Sequence, residues 1–528
     1  MTTISEKTLV RNGKEAPPET IRGARAAVLV QARALIAFAV AQVGERATFA
    51  GFEKALKERV LPLARAVVVL FLVASEERVR CGLGARVERE GRWFRKAPAQ
   101  VRNLLTWFGV VQYARTYLRE IVKPKRKARG YHPLDAELGL LADRISPNVL
   151  SVTTRLSTRL SFEEAHEVAG WFLPVVPSTE VVEAAVLGYG SKTQEWFEQA
   201  PAPENDGDVL VTQIDSKGVP TATDEELSLR RGKRSRRKKA PSPRHRGRLA
   251  RGRRTKKPRR AKGDKSKNAK MGTMVVMYTL RRSGKLLLGP INKRFYASFA
   301  SKRHAVEFAR REATKRGFPP GTNRVVQVLT DGDNDLARYI GEEFPDATHT
   351  IDVMHIVEKL WDAGSSVHRE GSDEFRAWVE EQKEALYAGR AVKIVAEFDQ
   401  QLASIARTGP GNKYRREKLT EIRGYIEKRV QNMTYADLRR RDLELGTGAV
   451  EGAIKNLMGG RMDHGGMRWI KERAEALLQL LCIDANGDWE AFVDRVHAAM
   501  RDSAVTKGAR PRLQQRVASP LPSIAEAA

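Results

Sequence analysis

Cysteine is almost absent from this chain of 528 residues, which contains only Cys81 and Cys482, about 400 positions apart. Two cysteines so far apart exclude a disulfide framework and any zinc module that depends on several cysteines. A chain so poor in thiols suits a reducing compartment such as the cytosol.

Long hydrophobic runs are also missing, and the opening MTTISE has no apolar stretch of the kind that a secretory signal carries. The most apolar run, residues 66–74, has nine residues, about half of the ~20 that a transmembrane helix needs. We therefore expect a buried helix at this run and a soluble protein. No glycine-rich dinucleotide motif follows a predicted strand and no P-loop is present, so no nucleotide cofactor is expected.

Basic residues are abundant, and they are concentrated in one place. The chain has a formal net charge of +30, of which residues 230–270 supply +21 through 22 Lys and Arg against one acid. A charge of this size favours a nucleic-acid partner. Because the tract has almost no large apolar residue, we predict a disordered insertion at 228–271 that binds phosphates without reading base sequence. The side chains expected to contact DNA there are Arg234, Arg236, Arg237, Lys238, Lys239, Arg253, Arg254, Lys262 and Lys265.

The first two hundred residues have the pattern of helices. We predict a disordered segment at 1–20 and an all-α DNA-binding region at 21–200, with helices over 20–80 and again over about 98–198. Ser161-Phe-Glu-Glu164 has the pattern of a capping box, and a second short helix follows the prolines near 174–177. Two such helices are compatible with a helix-turn-helix at 161–190, although an ordinary helical hairpin is the more common structure.

The stretch 205–485 is different, because strands and helices alternate in it. The order within 205–365 is β, β, β, α, β, α, β, α, which predicts a mixed α/β domain with flanking helices rather than a Rossmann fold. A charged helical insertion is predicted at 360–445. Residues 486–528 should form a C-terminal helix and a disordered tail.

Three acids stand at positions from which they could converge. Asp215 and Asp331 each follow a predicted strand, and Glu451 lies in the first turns of a helix with a buried apolar stripe. Carboxylates held on rigid strand ends and on a helix packed across them are the ligands that Mg²⁺ needs. Each acid alone also has an ordinary interpretation, as a turn residue or as an acid near a helix N-terminus.

The motifs around these acids resemble those of one enzyme family. They are Gln213-Ile-Asp215-Ser-Lys-Gly-Val-Pro220, Thr330-Asp331-Gly332, Asp352-Val-Met-His355, Gly448-Ala-Val-Glu451 and Gly466-Met-Arg-Trp469. In this order they are similar to the motifs of the DDE transposases of bacterial insertion sequences, of the ISKra type within the Mutator-like group. The resemblance extends over roughly residues 30–485. It departs at Ile214 and Ser216, where the family pattern has Ala and Gly, and no cysteines precede Pro133-Leu-Asp135, so no N-terminal zinc site is expected.

The resemblance implies a specific activity and site. It implies an RNase H-like core in which Asp215, Asp331 and Glu451 are catalytic and hold two Mg²⁺ (or Mn²⁺) ions, with His355 beside them and Asp352 as a strand-end cap or fourth carboxylate. The basic residues in or next to these motifs, Lys217, Arg461 and Arg468, would contact DNA. The enzyme would cut double-stranded DNA at the terminal inverted repeats of an element and join it to target DNA. It would act as a homo-oligomer on DNA, in the bacterial cytoplasm and associated with the nucleoid.

Three other functions stay open from the sequence. An RNase H-like nuclease would cut DNA without joining it, and a transposase-derived DNA-binding protein would have lost catalysis. The basic tract alone would also permit an RNA-binding protein, although no aromatic strand of the type used for RNA is present.

Overall fold

The computed structural model describes residues 20–123, 126–223, 269–463 and 467–513. These residues divide into two compact units. The first consists of the described residues up to Glu198 together with those from Gly487 onward, and the second runs from Gln199 to Asn486. The C-terminal helix Trp489–Lys507 therefore belongs to the first unit, although the whole second unit lies between this helix and the rest of the first unit in sequence.

The first unit begins with two long helices, α1 (Ile21–Gly44) and α2 (Phe49–Cys81), where helices were predicted. The rings of Phe38 and Phe52 stack between them with centroids 5.9 Å apart. Among the described residues, α1 is the one helix that is long and apolar enough to cross a membrane by length and composition. The helix was predicted, but not as a possible membrane span, because three arginines interrupt its apolar residues. Length and composition do not distinguish a membrane span from an apolar helix of a soluble protein.

The apolar run 66–74 lies in α2, and its burial is partial. Leu72 and Val73 are buried there, whereas Phe71 is 57 % exposed. The predicted helix is confirmed, but burial of the whole run is not.

The prediction that residues 21–200 are all-α is wrong. Four strands form an antiparallel sheet with the order β1-β2-β3-β4. They are β1 (Arg86–Arg89), β2 (Arg92–Thr106), β3 (Gly109–Glu120) and β4 (Gly130–Tyr131). The hairpins depend on turn residues with positive φ, at Glu90 (47°), Gly91 (69°) and Gly109 (103°). Buried side chains alternate along much of β3, which is the two-residue period of a strand and not that of a helix.

The remaining elements of the first unit are helices. They are α3 (Pro133–Glu137), α4 (Pro147–Arg159), α5 (Phe162–Ala169), α6 (Thr179–Gly190) and α7 (Thr193–Gln199), followed much later by Trp489–Lys507. The capping box at Ser161 and Glu164 is confirmed, with both of its hydrogen bonds present. The connection between α5 and α6 spans 170–178, which is longer than the ~3–4-residue turn of a typical helix-turn-helix. A DNA-reading role for α5 and α6 stays a prediction.

A buried ion cluster connects α3 to the sheet of the first unit. The Asp135 carboxylate lies 2.8 Å from Arg102 Nη1 and 2.8 Å from Arg115 Nη1, and it accepts a hydrogen bond of 2.9 Å from the Tyr113 hydroxyl. The side chains of Asp135 and Arg102 are each only 4 % exposed. One carboxylate therefore neutralises two guanidinium groups away from water.

We predict that Asp135→Asn lowers the free energy of unfolding of the first unit by about 3–5 kcal/mol, because it leaves buried guanidinium groups without their counter-charge. Glu137→Gln is the matched control. Its exposed pair with Arg78 should contribute no more than about 1 kcal/mol. Urea unfolding of the full chain, followed by tryptophan fluorescence, measures both. Equal losses for the two variants would contradict the prediction.

The second unit has a five-stranded mixed sheet. Its strands are β5 (Val209–Pro220), β6 (Ala269–Ser283), β7 (Leu286–Ser298), β8 (Val325–Thr330) and β9 (Thr348–Ile351). The spatial order is β7-β6-β5-β8-β9. The pairs β5–β6 and β6–β7 are antiparallel, whereas β5–β8 and β8–β9 are parallel. The predicted mixed α/β class is confirmed for this unit.

Two predicted boundaries near β6, a turn and the end of an insertion, can be compared with the structure. The predicted turn at Ser283–Gly284 is confirmed, and Gly284 has the positive φ (61°) that such a turn requires. The predicted insertion 228–271 ends too late, because Ala269 already pairs with Pro220 and Met271 with Gly218 in the sheet. The rest of that insertion, to residue 268, lies outside the described residues.

Helices flank and extend this sheet. They are α8 (Lys302–Lys315), α9 (Asn334–Glu343), α10 (Val353–Val367), α11 (Asp373–Tyr387), α12 (Ala391–Ser404), α13 (Asn412–Glu427), α14 (Tyr435–Arg440), α15 (Gly448–Ala453), α16 (Gly460–Met462) and α17 (Lys471–Ala485). The predicted order β, β, β, α, β, α, β, α is confirmed, and 360–445 is largely helical. The residues between α15 and α16, Ile454–Gly459, form π-helical turns.

An acid is buried where α17 packs on the end of β7. Glu475 is 5 % exposed and accepts hydrogen bonds from Ser298 Oγ (2.7 Å), Phe299 N (2.5 Å) and Gln479 Nε2 (2.6 Å). Burial raises the pKa of Glu475 to about 7, although the bonds from Phe299 and Ser298 oppose the shift.

Because the folded pKa of Glu475 lies above its ordinary value near 4.5, its protonated form stabilises the fold, and this contribution is lost as pH rises from 4.5 through 7. We therefore predict that Glu475→Gln gains stability relative to the unmodified chain as pH rises from 5 to 8. Thermal unfolding at a series of pH values measures this difference. Glu472→Gln, an exposed neighbour on the same helix, should show no such trend. A Glu475→Gln difference that is flat with pH would contradict the prediction.

Candidate functional site

Three aspartates meet at one edge of the five-stranded sheet. The parallel register pairs Gln213 of β5 with Leu329 of β8, so Asp215 and Asp331 each stand two positions beyond a paired residue. On the next strand, Ile351 pairs with Thr330, and Asp352 follows it directly. β8 ends at Thr330, as predicted for Asp331, but the prediction that a strand ends at Asp215 is wrong, because β5 continues to Pro220 in its pairing with β6. The three carboxylates are still brought into one neighbourhood, since each lies one or two positions past the last residue that its strand pairs in the parallel ladders.

The pKa of Asp215 is shifted by its burial and by the charged groups around it. Burial raises the pKa of Asp215 to about 6. The charges of Asp331 and Glu451 raise the same pKa, whereas the bond from Ser216 N (2.6 Å) and the nearby His355 lower it. Glu451 is thus close enough to act on Asp215, although 236 residues separate them in the chain. Like charges this close disfavour simultaneous ionisation unless a cation joins them.

Glu451 reaches this edge because the sheet itself holds the segment before it. The Gln327 side chain donates to Glu444 O (2.7 Å) and accepts from Glu444 N (3.1 Å). The Gln213 side chain donates to Gly446 O (3.2 Å) and accepts from Val450 N (3.0 Å). Both glutamines are at most 1 % exposed. They attach the residues before Glu451 to the strands that carry Asp215 and Asp331.

No role was predicted for Gln213 and Gln327. The available signal was that each is a single amide within an otherwise apolar strand, Val-Leu-Val-Thr-Gln-Ile and Val-Val-Gln-Val-Leu. A buried amide must find hydrogen-bond partners. The partners here are backbone groups more than 100 residues away, and the sequence does not show which segment supplies them.

Thr447 connects two acids of the site. Its backbone N–H donates to Asp352 Oδ2 (2.8 Å), and its hydroxyl lies within hydrogen-bond distance of Asp352 Oδ2 and, at 2.8 Å, of Glu451 Oε1. A hydroxyl has one proton, so it can donate to only one carboxylate at a time. Asp352 also caps α10 by accepting from Met354 N (2.6 Å). Of the two roles considered for Asp352, the strand-end cap is therefore present.

His355 lies one helical turn from Asp352, with Nδ1 3.9 Å from Asp352 Oδ2. The Asp352 carboxylate raises the pKa of His355 to about 9, and Asp331 and Glu358 add to the shift, while burial opposes it. Burial alone would raise the pKa of Asp352, but His355 and the hydrogen bonds from Thr447 and Met354 hold it well below its usual range. His355 is therefore a cation that partly balances the acids.

A metal ion has suitable ligands at this edge. Among the described residues, one oxygen or nitrogen from each of Asp352, His355 and Glu451 lies within 4.8 Å of the other two, and His355 would have to lose its proton to serve as a ligand. Asp215 and Asp331 adjoin this group, since Asp215 senses the charges of Asp331, Glu451 and His355. Of the residues predicted for the site, Asp215, Asp331, Glu451 and His355 are brought together.

The predicted DNA-binding residues are divided by position. Arg234, Arg236, Arg237, Lys238, Lys239, Arg253, Arg254, Lys262 and Lys265 lie outside the described residues. Lys217 follows Asp215 by two positions on β5, with Nζ 3.2 Å from Asp463 Oδ2. Arg468 is half-buried. Arg461 is only 4 % exposed, and its guanidinium lies 4.8 Å from the centre of the Trp469 ring. Lys217 and Arg468 are thus more accessible to a ligand than Arg461.

A scan against protein-family models found no matching family, and no curated protein matches the chain. The resemblance to DDE transposases therefore depends on the motifs in the sequence itself.

We predict that Thr447→Val weakens binding of Mn²⁺ about tenfold, because it removes the hydroxyl that orients the Asp352 and Glu451 carboxylates. A hydrogen bond to a charged group typically contributes about 1.5–3 kcal/mol. Titration calorimetry of the full chain measures the affinity. Thr447→Ser keeps the hydroxyl and should bind Mn²⁺ within about twofold of the unmodified chain. The prediction fails if Val and Ser at this position bind equally well.

Proposed function

We propose that this protein is a DDE transposase, a divalent-metal-dependent enzyme that cuts DNA at the ends of a mobile element and joins them to target DNA. The observation that carries the proposal is the convergence of Asp215, Asp331 and Glu451 on one sheet edge. They come from two neighbouring strands and one helix that are far apart in sequence.

The arrangement of the second unit supports an RNase H-like core. Within the sheet, the strands in chain order occupy the spatial order 3-2-1-4-5, and the second strand is antiparallel to the first. Helices follow the third, fourth and fifth strands. We take this order and these directions as support for an RNase H-like domain, in which a first acid on the central strand and a second on its parallel neighbour would be the expected positions.

The acids fit a divalent cation by their chemistry. Hard cations such as Mg²⁺ and Mn²⁺ prefer carboxylate oxygens. Burial is the main cause of the raised pKa of Asp215, and the charges of Asp331 and Glu451 add to it, so a bound cation would favour the ionised carboxylate. Two ions bound between Asp215, Asp331 and Glu451 would supply Lewis-acid stabilisation of the attacking and leaving oxygens of a phosphodiester.

The protein's own residues would bind and orient the DNA around this edge. The cationic His355 and the half-buried Lys217 place positive charge next to the acids, where a phosphate could be held. The tract 230–270 would add sequence-independent contacts to the phosphate backbone. The first unit would supply recognition of the element ends.

We predict that Asp215→Asn, Asp331→Asn and Glu451→Gln each reduce strand cleavage and joining by at least about a thousandfold in Mg²⁺ or Mn²⁺, because each removes an anionic metal ligand. DNA binding should persist, since the basic tract is unchanged. The substrate is a labelled duplex from the DNA flanking the gene, incubated with a supercoiled target plasmid. Glu342→Gln, an exposed acid on α9, is the control and should retain both reactions.

Different failures of this assay point to different conclusions. Cleavage without joined products would favour an RNase H-like nuclease over a transposase. DNA binding with no metal-dependent cleavage in the unmodified chain would favour a transposase-derived binding protein. Joining that survives in the Asp331→Asn variant would overturn the assigned site.

A further inference from the structure

The helical insertion contacts the strand ends that carry two of the acids. Four side chains between residues 425 and 435 donate hydrogen bonds to backbone carbonyls of that edge. They are Tyr425 to Asp331 O (2.7 Å), Arg429 to Gly332 O (2.6 and 2.9 Å), Asn432 to His349 O (3.2 Å) and Tyr435 to Ile351 O (2.9 Å). The carbonyls of Asp331, Gly332 and Ile351 lie at or just beyond the ends of β8 and β9, and that of His349 lies within β9.

The closest of these contacts are at Asp331 and Gly332. Gly332 has a φ of +91°, and a Cβ added there would stand 2.2 Å from the Tyr425 hydroxyl. Tyr425 and Arg429 therefore occupy the space that any side chain at 332 would need. A backbone in this conformation is unfavourable for most residues, and the contacts from α13 and the residue just beyond it hold it in place.

Arg429 is held in a way that is unusual for a buried cation. It is 8 % exposed, and its guanidinium donates to Gly332 O, Tyr425 O (2.8 Å) and Asn334 Oδ1 (2.6 Å) while it stacks 3.9 Å from the Tyr425 ring centre. These hydrogen bonds go to carbonyl oxygens and not to a carboxylate. Burying a charge is costly unless its donors are satisfied. The segment 331–334 and Arg429 therefore constrain each other.

We propose that Tyr425 and Arg429 are positioning residues that hold Asp331 at the distance from Asp215 which metal binding requires. This inference rests on the proposed function, because it assigns to the helical insertion a role in the geometry of the acidic site. The insertion acts through the backbone of Asp331 and Gly332, and neither Tyr425 nor Arg429 is a metal ligand. Any displacement of α13 would be transmitted directly to Asp331.

The test compares Tyr425→Phe and Arg429→Gln with Tyr414→Phe in the full chain. Tyr414 lies on the same helix and is 67 % exposed, so its hydroxyl is a matched control. Hydrogen–deuterium exchange of peptides spanning 330–334, without metal, reports the local backbone. Mn²⁺ affinity by titration calorimetry reports the site, and the thermal unfolding midpoint reports overall stability.

The expected result is exchange at 330–334 at least about fivefold faster in Tyr425→Phe, with Mn²⁺ binding about tenfold weaker and an unfolding midpoint equal to that of Tyr414→Phe. Exchange or Mn²⁺ affinity that matches the control would overturn the positioning role. A loss of overall stability in Tyr425→Phe that accounts for the faster exchange would also overturn it.

Failure of the proposed function has a different signature. If the unmodified chain binds no Mn²⁺, and Asp331→Asn changes nothing, the metal-dependent function is wrong. The positioning of Asp331 for metal binding is then wrong with it, whatever the exchange shows. If Mn²⁺ binds and Asp331→Asn abolishes binding, but Tyr425→Phe behaves as the control, the metal site stands and only the role of the insertion is rejected.

Discussion

Mutual repulsion among carboxylates is the constraint that the candidate site of the second unit has to satisfy. The parallel pairing of β5, β8 and β9 brings Asp215, Asp331 and Asp352 together, each one or two positions past the last residue of its strand in the parallel ladders. Glu451 adds a fourth negative charge from a helix. In the absence of a bound cation, part of this cost is offset by the His355 imidazolium and by hydrogen bonds from Thr447. Part is met by the high pKa of Asp215, which lets it take up a proton.

The surrounding structure restrains these acids through backbone contacts and not only through their side chains. Gln213 and Gln327 fasten the residues before Glu451 to the sheet from within. Tyr425 and Arg429 hold Asp331 and Gly332 from the helical insertion. An edge held from both sides keeps its carboxylates at a fixed spacing, and a fixed spacing is what a metal-dependent site needs. The insertion is thus attached directly to the candidate site.

In the first unit, buried charges are neutralised by groups of opposite charge. Asp135 neutralises two arginines from the antiparallel sheet and also accepts from Tyr113, so its carboxylate has three partners in an enclosed position. The Pro133-Leu-Asp135 motif, which belongs to the family resemblance, has a structural role here.

Local patterns in the sequence were sufficient for many elements of this protein. Apolar runs, turn residues and caps predicted the alternation of strands and helices in 205–365, the turn at Ser283–Gly284 and the capping box at Ser161. The strands at 86–131 pair with their neighbours in sequence, and they escaped prediction because arginine-rich and alanine-containing segments are equally compatible with helices.

By itself, the sequence placed Asp215 and Asp331 as candidates before their neighbours were known, and it located the strand end before Asp331, although β5 continues past Asp215 to Pro220. Only the tertiary structure decided which strands are adjacent, which buried amides fasten Glu451, and that residues 425–435 contact the strand ends. Those contacts join residues that are between 94 and 237 positions apart in the chain. Their partners are backbone carbonyls and amides that every residue type carries, and the sequence therefore contains no local signal for them.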